Sequence, residues 1–145
     1  MIQKIITAIL ICFSASIFNA QAQGTEDIVY TKTEKEAEFT GGLKAWAKFL
    51  GDNINAQTAV DNGAPAGSYM VIIKFIVAKD GSVTDVVAET KFGYRMEAEV
   101  IKVISKSPKW LPAIQNGKPV NAYRRQPITF VVEKQKGKRG RRNNN

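Results

Sequence analysis

The chain has 145 residues, with no histidine and a single cysteine. This composition excludes an internal disulfide. It also excludes the catalytic and metal-binding sites that need histidine or a Cys–His pair. We therefore expect a binding protein rather than an enzyme, with no cofactor. The net charge of +8 arises at the two ends. Six basic residues lie near the C-terminus, and Lys4 lies near the N-terminus. Without these seven, the remaining 14 Lys and Arg nearly balance the 13 Asp and Glu.

The N-terminus has the pattern of a secretory signal peptide. Lys4 precedes an apolar run over residues 5–18, which is too short to cross a bilayer core. The run is followed by Ala20-Gln21-Ala22, the small-x-small pattern at which signal peptidase cleaves. We therefore expect residues 1–22 to be removed after Ala22 and the mature chain to be periplasmic. The alternative is an uncleaved membrane anchor.

Polar residues 23–38 predict a flexible lead-in, and a helix follows. Leu43, Trp46, Ala47 and Leu50 have the i, i+3, i+4, i+7 spacing of one buried helix face. Thr40 is placed to cap the start of this helix, and Gly51 is placed to end it. Residues 53–68 are rich in Asn, Asp, Gly and Pro and read as a loop.

A β-hairpin is predicted next. Residues 69–78 are rich in β-branched and aromatic residues, polar only at Lys74, which favours a central strand. Asp80 and Gly81 suit a tight turn, after which residues 83–90 return as a second strand.

The C-terminal half predicts one more helix and one more strand. Residues 95–107 form a helix whose buried face is Met96, Val100, Val103 and Ile104, and Pro108 ends it. Residues 109–120 are an extended connection, and residues 122–133 are a strand with every second side chain inward. The fold class is therefore α+β: a small antiparallel sheet, made of a hairpin and a C-terminal strand, packed against two helices. Residues 39–133 form this domain.

Residues 134–145 have no apolar side chain to bury, so we expect a disordered basic tail. Its cations favour anionic surfaces. They are Lys134, Lys136, Lys138, Arg139, Arg141 and Arg142.

Several segments, in order along the chain, resemble the TonB C-terminal domain family. They are the helix-leading Phe39-Thr40-Gly41-Gly42, the hairpin over residues 71–86, and the stretches at 96–100, 108–113, 116–120 and 127–130. In this family the domain docks on outer-membrane receptors by pairing a sheet edge with a short receptor segment, the TonB box. The resemblance thus implies a small α+β domain and transport-linked protein binding.

By this resemblance, the pairing edge is the last strand, formed here by Ile128, Thr129, Phe130, Val131, Val132 and Glu133. Addition of a partner strand to such an edge is β-augmentation. Arg124, Arg125 and Gln126 at the start of this strand are candidates to steer acidic partners, or are simply a solvated strand end. An exposed final strand also leaves a homodimer open.

The chain departs from a membrane-anchored transducer in its N-terminal signal and its short lead-in without proline. Our leading hypothesis is therefore a non-catalytic periplasmic binding module whose partner is an outer-membrane receptor or another envelope protein. The alternatives are a true energy transducer with an uncleaved anchor, and an envelope-surface-binding protein that acts through its tail. We expect no nucleic-acid partner for an exported chain.

Overall fold

A computed structural model describes residues 28–134. The predicted signal peptide at 1–22 and the tail beyond Lys134 lie outside the described residues. The helices are α1 (Gly42–Asn53), α2 (Thr58–Asp61) and α3 (Met96–Ile104). The strands are β1 (Val29–Tyr30), β2 (Glu38–Phe39), β3 (Gly67–Val77), β4 (Val83–Ala88), β5 (Trp110–Leu111), β6 (Ala113–Gln115) and β7 (Lys118–Val132).

The main sheet has the strand order β1-β7-β3-β4, and β6 pairs with the first residues of β7. β3 and β7 form a long antiparallel ladder that runs from the pair Gly67 and Val132 to the pair Val77 and Ala122. β4 pairs antiparallel with the other side of β3, so β3 is central, as predicted. β1 lies parallel to β7, and the sheet is therefore mixed rather than purely antiparallel. The α+β class is confirmed.

The core lies between one face of this sheet and the helices. Val71, Ile73, Phe75 and Val77 alternate along β3 and are all buried, because side chains two apart on a strand share a face. The predicted face of α3 is also confirmed: its four buried side chains are Met96, Val100, Val103 and Ile104. α3 packs on β3 and β4.

The buried face of α1 differs from the predicted one. Trp46 and Leu50 are buried, but Leu43 is 79% exposed and Ala47 is also exposed. The face is turned toward Phe49 because an aromatic cluster lies on that side. The ring of Phe39 is 5.0 Å from that of Trp46 and 5.5 Å from that of Phe49. Such pairs stabilise a fold beyond the area they bury.

The ends of α1 also differ from the prediction. The N-cap is Gly41, in the left-handed region with φ 93°, and it makes no side-chain cap hydrogen bond. The Thr40 hydroxyl instead donates a hydrogen bond to the Lys109 carbonyl at 2.8 Å, tying the start of the helix to the segment before β5. Gly51 lies within the helix, which continues to Asn53.

The prediction of a flexible lead-in is wrong for residues 28–38, which pair with the rest of the fold. β1 pairs with β7, and Lys35 and Ile114 exchange backbone hydrogen bonds of 3.2 and 2.9 Å. Ala37 is only 2% exposed. Backbone pairing of this kind does not depend on apolar side chains, which is why side-chain polarity failed to predict it.

Two predicted connections contain regular structure. The loop at 53–68 includes the single turn of α2. The connection at 109–120 contains β5, which pairs with β2, and the hairpin of β6 with β7. This hairpin turns at Asn116 and Gly117, whose φ angles of 51° and 71° fit a type I′ turn.

Candidate functional site

The candidate site is the outer edge of β7, the edge that faces away from β3. β1 pairs with this strand only at Asn121 and Ala122. Among residues 28–134, β3 is the only strand that pairs with β7 between Tyr123 and Val132. One side of this stretch is therefore available to another strand.

The backbone groups that point outward can be identified from the ladder. The carbonyl of Ile72 accepts the amide of Glu89 at 2.8 Å, and the Ile72 amide donates to the Thr90 hydroxyl, so the backbone of Ile72 faces β4. Because this direction alternates along a strand, the backbone groups of Val71 and Ile73 face β7. Their partners Ile128 and Gln126 therefore face β3.

Odd-numbered residues of β7 consequently direct their backbone N–H and C=O groups to the free edge. These residues are Tyr123, Arg125, Pro127, Thr129 and Val131. Pro127 fits this arrangement, since proline has no N–H and within sheets occupies positions where the ladder does not need one. Its N–H would have pointed away from β3.

Pro127 also divides the free edge in two. Pro127 has no N–H to donate, and its carbonyl already accepts a hydrogen bond of 2.8 Å from the side-chain amide of Gln126. The Oε1 of that same amide accepts the indole N–H of Trp46 at 2.6 Å. The side chain of Gln126 thus joins α1 to β7 from the helix side. Its steering of a partner stays a prediction beside this contact within the domain.

Arg124 and Arg125 both have carboxylate partners. Arg124 lies 2.7 Å from Glu36 of the lead-in, and Arg125 lies 2.9 Å from Glu89, which follows β4. Together with Lys74 and Tyr123 they line an open pocket of about 410 Å³ where the lead-in leaves β7. Their charges are therefore largely compensated within the chain.

The second part of the edge, beyond Pro127, is more open. Thr129 and Val131 are exposed, Val131 to 67%, and they share the outer sheet face with Met70, which is 54% exposed. Phe130 and Val132 point to the other face and are buried, as alternation predicted. Ile128 is half-buried, while Glu133 and Lys134 follow the strand and are exposed.

The described part of the chain offers no sign of a metal centre or a membrane span. Residues 28–134 contain no cluster of His, Cys, Asp and Glu side chains that could hold a metal ion. The helices within the same range are too short or too polar to cross a bilayer.

Comparison with known proteins agrees with this arrangement. Residues 70–132 match the family model of the Gram-negative bacterial TonB protein C-terminal domain. The matched segment runs from β3 to the end of β7 and includes the whole free edge. The search of curated proteins gives no significant match. The predicted family resemblance is therefore confirmed for this segment.

Proposed function

We propose that this protein is a non-catalytic periplasmic module that binds an extended segment of an envelope protein. The proposal is supported by the match of residues 70–132 to the TonB C-terminal family model. Domains of this family interact with outer-membrane receptors, so such a receptor is the proposed partner and transport across that membrane the proposed context. The partner segment adds a strand to the edge formed by residues 128–133.

The observation that carries this proposal is the outward direction of the backbone at Thr129 and Val131. Each has an N–H and a C=O group on an edge that no described strand occupies. A backbone hydrogen bond contributes a net of about 0.5–1.5 kcal/mol, so a short added strand binds with modest affinity. Burial of the exposed Val131 side chain would add to it, at about 25 cal/mol per Å² of apolar surface.

Thr129 is the position at which this pairing can be tested without damage to the core. Thr129→Pro removes one outward N–H and places a proline ring against an incoming strand, while the hydrogen bonds to β3 stay intact. Thr129→Val keeps the N–H and is the matched control. Phe130 is unsuitable for the same test because it is buried and its backbone faces β3.

The experiment compares capture of solubilised outer-membrane proteins by the immobilised wild-type domain and the two variants. We expect wild type and Thr129→Val to retain the same receptors and Thr129→Pro to lose them, with all three unfolding cooperatively at similar temperatures. Equal capture by a folded Thr129→Pro variant would rule out pairing at this edge.

A further inference from the structure

The open pocket where the lead-in leaves β7 has no part in the proposed strand addition. Its volume is about 410 Å³, which is within the range of small-molecule sites. The residues that β7 contributes to it precede Pro127, whereas the partner strand is placed at residues 128–133. The lining side chains all carry a polar group, and they are Thr31, Glu36, Lys74, Tyr123, Arg124 and Arg125. A pocket of this size and composition suits a small polar ligand.

Lys74 is the unexpected member of this lining, because it is the only charged residue of β3. It is half-buried and lies opposite Arg125 of β7. Its ammonium group lies 5.1 Å from the centre of the Tyr123 ring, which is a favourable cation–π distance. Among residues 28–134, no carboxylate forms an ion pair with it. Partial burial of an unpaired charge costs free energy, so an anionic ligand would stabilise this position.

The two arginines of the pocket are held in place by carboxylates from different parts of the chain. Glu36 of the lead-in accepts a hydrogen bond from Nη1 of Arg124 at 2.7 Å. Glu89, which follows β4, accepts hydrogen bonds from Nε and Nη2 of Arg125 at 3.1 and 2.9 Å. A guanidinium group has five N–H groups, so each arginine keeps donors that these carboxylates do not use. The donors are already oriented when a ligand arrives, which lowers the entropy cost of binding.

The formal charges at the pocket do not cancel. Three cations line it, which are Lys74, Arg124 and Arg125, and two carboxylates pair with them, which are Glu36 and Glu89. The surplus is one positive charge, and Lys74 is the cation without an ion pair. A single carboxylate group would neutralise this charge and accept hydrogen bonds from the ammonium and guanidinium groups. A doubly charged phosphate would instead leave an excess of negative charge.

We propose that this pocket is a binding site for a small organic molecule with one carboxylate group. The carboxylate lies beside Lys74 and accepts hydrogen bonds from Arg124 and Arg125, and the rest of the pocket takes the body of the ligand. A free organic acid and the C-terminus of a short peptide both present this group. The site is independent of strand addition, because it uses side chains of β3 and the start of β7 and none of residues 128–133.

The test titrates the isotope-labelled chain, without its predicted signal peptide, and follows the amide signals by NMR. The probes are N-acetyl-alanyl-alanine, which ends in a carboxylate, its C-terminal amide, propionate and inorganic phosphate. We expect the acid dipeptide to shift the signals of Lys74, Tyr123 and Arg125 with a dissociation constant in the millimolar range, as a few partly exposed charge-assisted hydrogen bonds would give. The amide dipeptide should shift none of them. Propionate that binds as tightly as the acid dipeptide indicates a free organic acid as the ligand, and much weaker binding of propionate indicates a peptide C-terminus.

Lys74→Met tests the unpaired charge. Methionine keeps a long, unbranched side chain and removes the ammonium group, so this variant should bind the acid dipeptide about tenfold more weakly, the effect of one lost hydrogen bond to a charged group. Lys106→Met is the matched control, since Lys106 is exposed just after α3 and does not line the pocket. It should bind as wild type does. Thr129→Pro, which blocks the free edge of β7, should also leave this affinity unchanged.

Several results would overturn the inference. Equal shifts from the acid and amide dipeptides, or no saturable shift from either carboxylate, would show that the carboxylate is not recognised, and this comparison needs only the wild-type protein. Unchanged affinity in a folded Lys74→Met variant would show that the lysine only extends its ammonium group into solvent. Tighter binding of phosphate than of both carboxylates would show a site for a doubly charged anion. Loss of binding in Thr129→Pro would place the ligand on the free edge instead.

Discussion

Gly81 lies so close to the backbone of Trp110 that a side chain does not fit there, and the sequence does not reveal this contact. The Asp80-Gly81 pair predicts a tight turn, and Gly81 does adopt a positive φ of 84°. The turn also lies directly against β5, where the Gly81 carbonyl accepts the Trp110 amide at 2.8 Å. A Cβ atom at Gly81 would lie 2.2 Å from the Trp110 carbonyl oxygen, far inside van der Waals contact.

Gly81→Ala should therefore be unusually destabilising for so small a change. The strained φ costs about 1–2 kcal/mol and displacement of the Trp110 backbone costs at least as much again, so we expect the unfolding free energy to fall by at least about 2 kcal/mol. The control is Gly63→Ala. Gly63 has a φ of 79°, but no atom lies within 4 Å of the position its Cβ would take, so this variant should lose only the stability that the strained φ costs. Urea denaturation measures both. Equal losses would mean that the contact with Trp110 is unimportant.

The neighbouring Asp80 links stability to pH. Its carboxylate accepts hydrogen bonds of 2.6 and 3.0 Å from the Ser82 hydroxyl and amide, and Lys109 lies 3.0 Å away. These contacts hold the pKa of Asp80 well below its ordinary value. Since the folded-state pKa is the lower one, the stabilisation is present above the unfolded-state pKa and is lost as the pH falls below it.

We expect Asp80→Asn to lower the melting temperature at neutral pH, with the difference from wild type shrinking as the pH falls below about 4. Asp52→Asn, which removes an exposed carboxylate paired with Lys48 in α1, controls for the loss of one negative charge. Thermal unfolding across this pH range measures the effect. A difference from wild type that stays constant down to pH about 2 would contradict a depressed pKa for Asp80.

Among the elements, the lead-in is the part whose order was not expected. Its pairing with β7 and β6 involves only a few backbone hydrogen bonds, but Ala37 and the adjoining Phe39 are buried in the core. We expect the amides of Lys35 and Ile114 to exchange with deuterium much more slowly than in an unstructured peptide, since each donates to the other's carbonyl. Hydrogen exchange read by NMR tests this. Exchange of Lys35 at the unstructured rate would restore the prediction of a flexible segment.

The elements that the sequence predicts well are those with a strong periodic pattern. The type and order of β3, β4 and α3 follow from their aliphatic patterns, and α3 buries the face that its spacing predicts. The sequence predicts α1 less well, because its orientation depends on an aromatic cluster that includes Trp110, which is distant in sequence from the helix. β1, β5 and β6 are too short to show a pattern at all.

The site divides in the same way. Alternation predicts that Phe130 and Val132 point inward, and Pro127 is a sequence signal that its side of the strand is a free edge. By contrast, the partners of Arg124, Arg125 and Gln126 come from the lead-in, the end of β4 and α1. No local pattern connects such distant positions, so the sequence alone does not predict these contacts, and a steering role for the three side chains stays a prediction.

At the scale of the whole molecule, the ordered lead-in bears on how the domain is held in the envelope. Because the described structure already begins at residue 28, only residues 23–27 separate the predicted cleavage site from the domain. In an uncleaved chain, residues 19–27 would join the apolar run to the domain, and fully extended these nine residues span at most about 32 Å. An uncleaved apolar segment would therefore hold the domain close against its membrane, where it could not reach a receptor in the opposite one.

The proposed module thus depends on removal of the signal, and we expect the mature protein to begin at Gln23. Intact-mass and N-terminal peptide analysis of protein from the envelope fraction should find this residue and no species with residues 1–22. Ala22→Leu replaces the small residue that signal peptidase requires, so this variant should accumulate uncleaved and remain with the membrane. A native protein that keeps its first 22 residues would contradict the periplasmic module and favour an anchored transducer, because the apolar run would then be its membrane attachment.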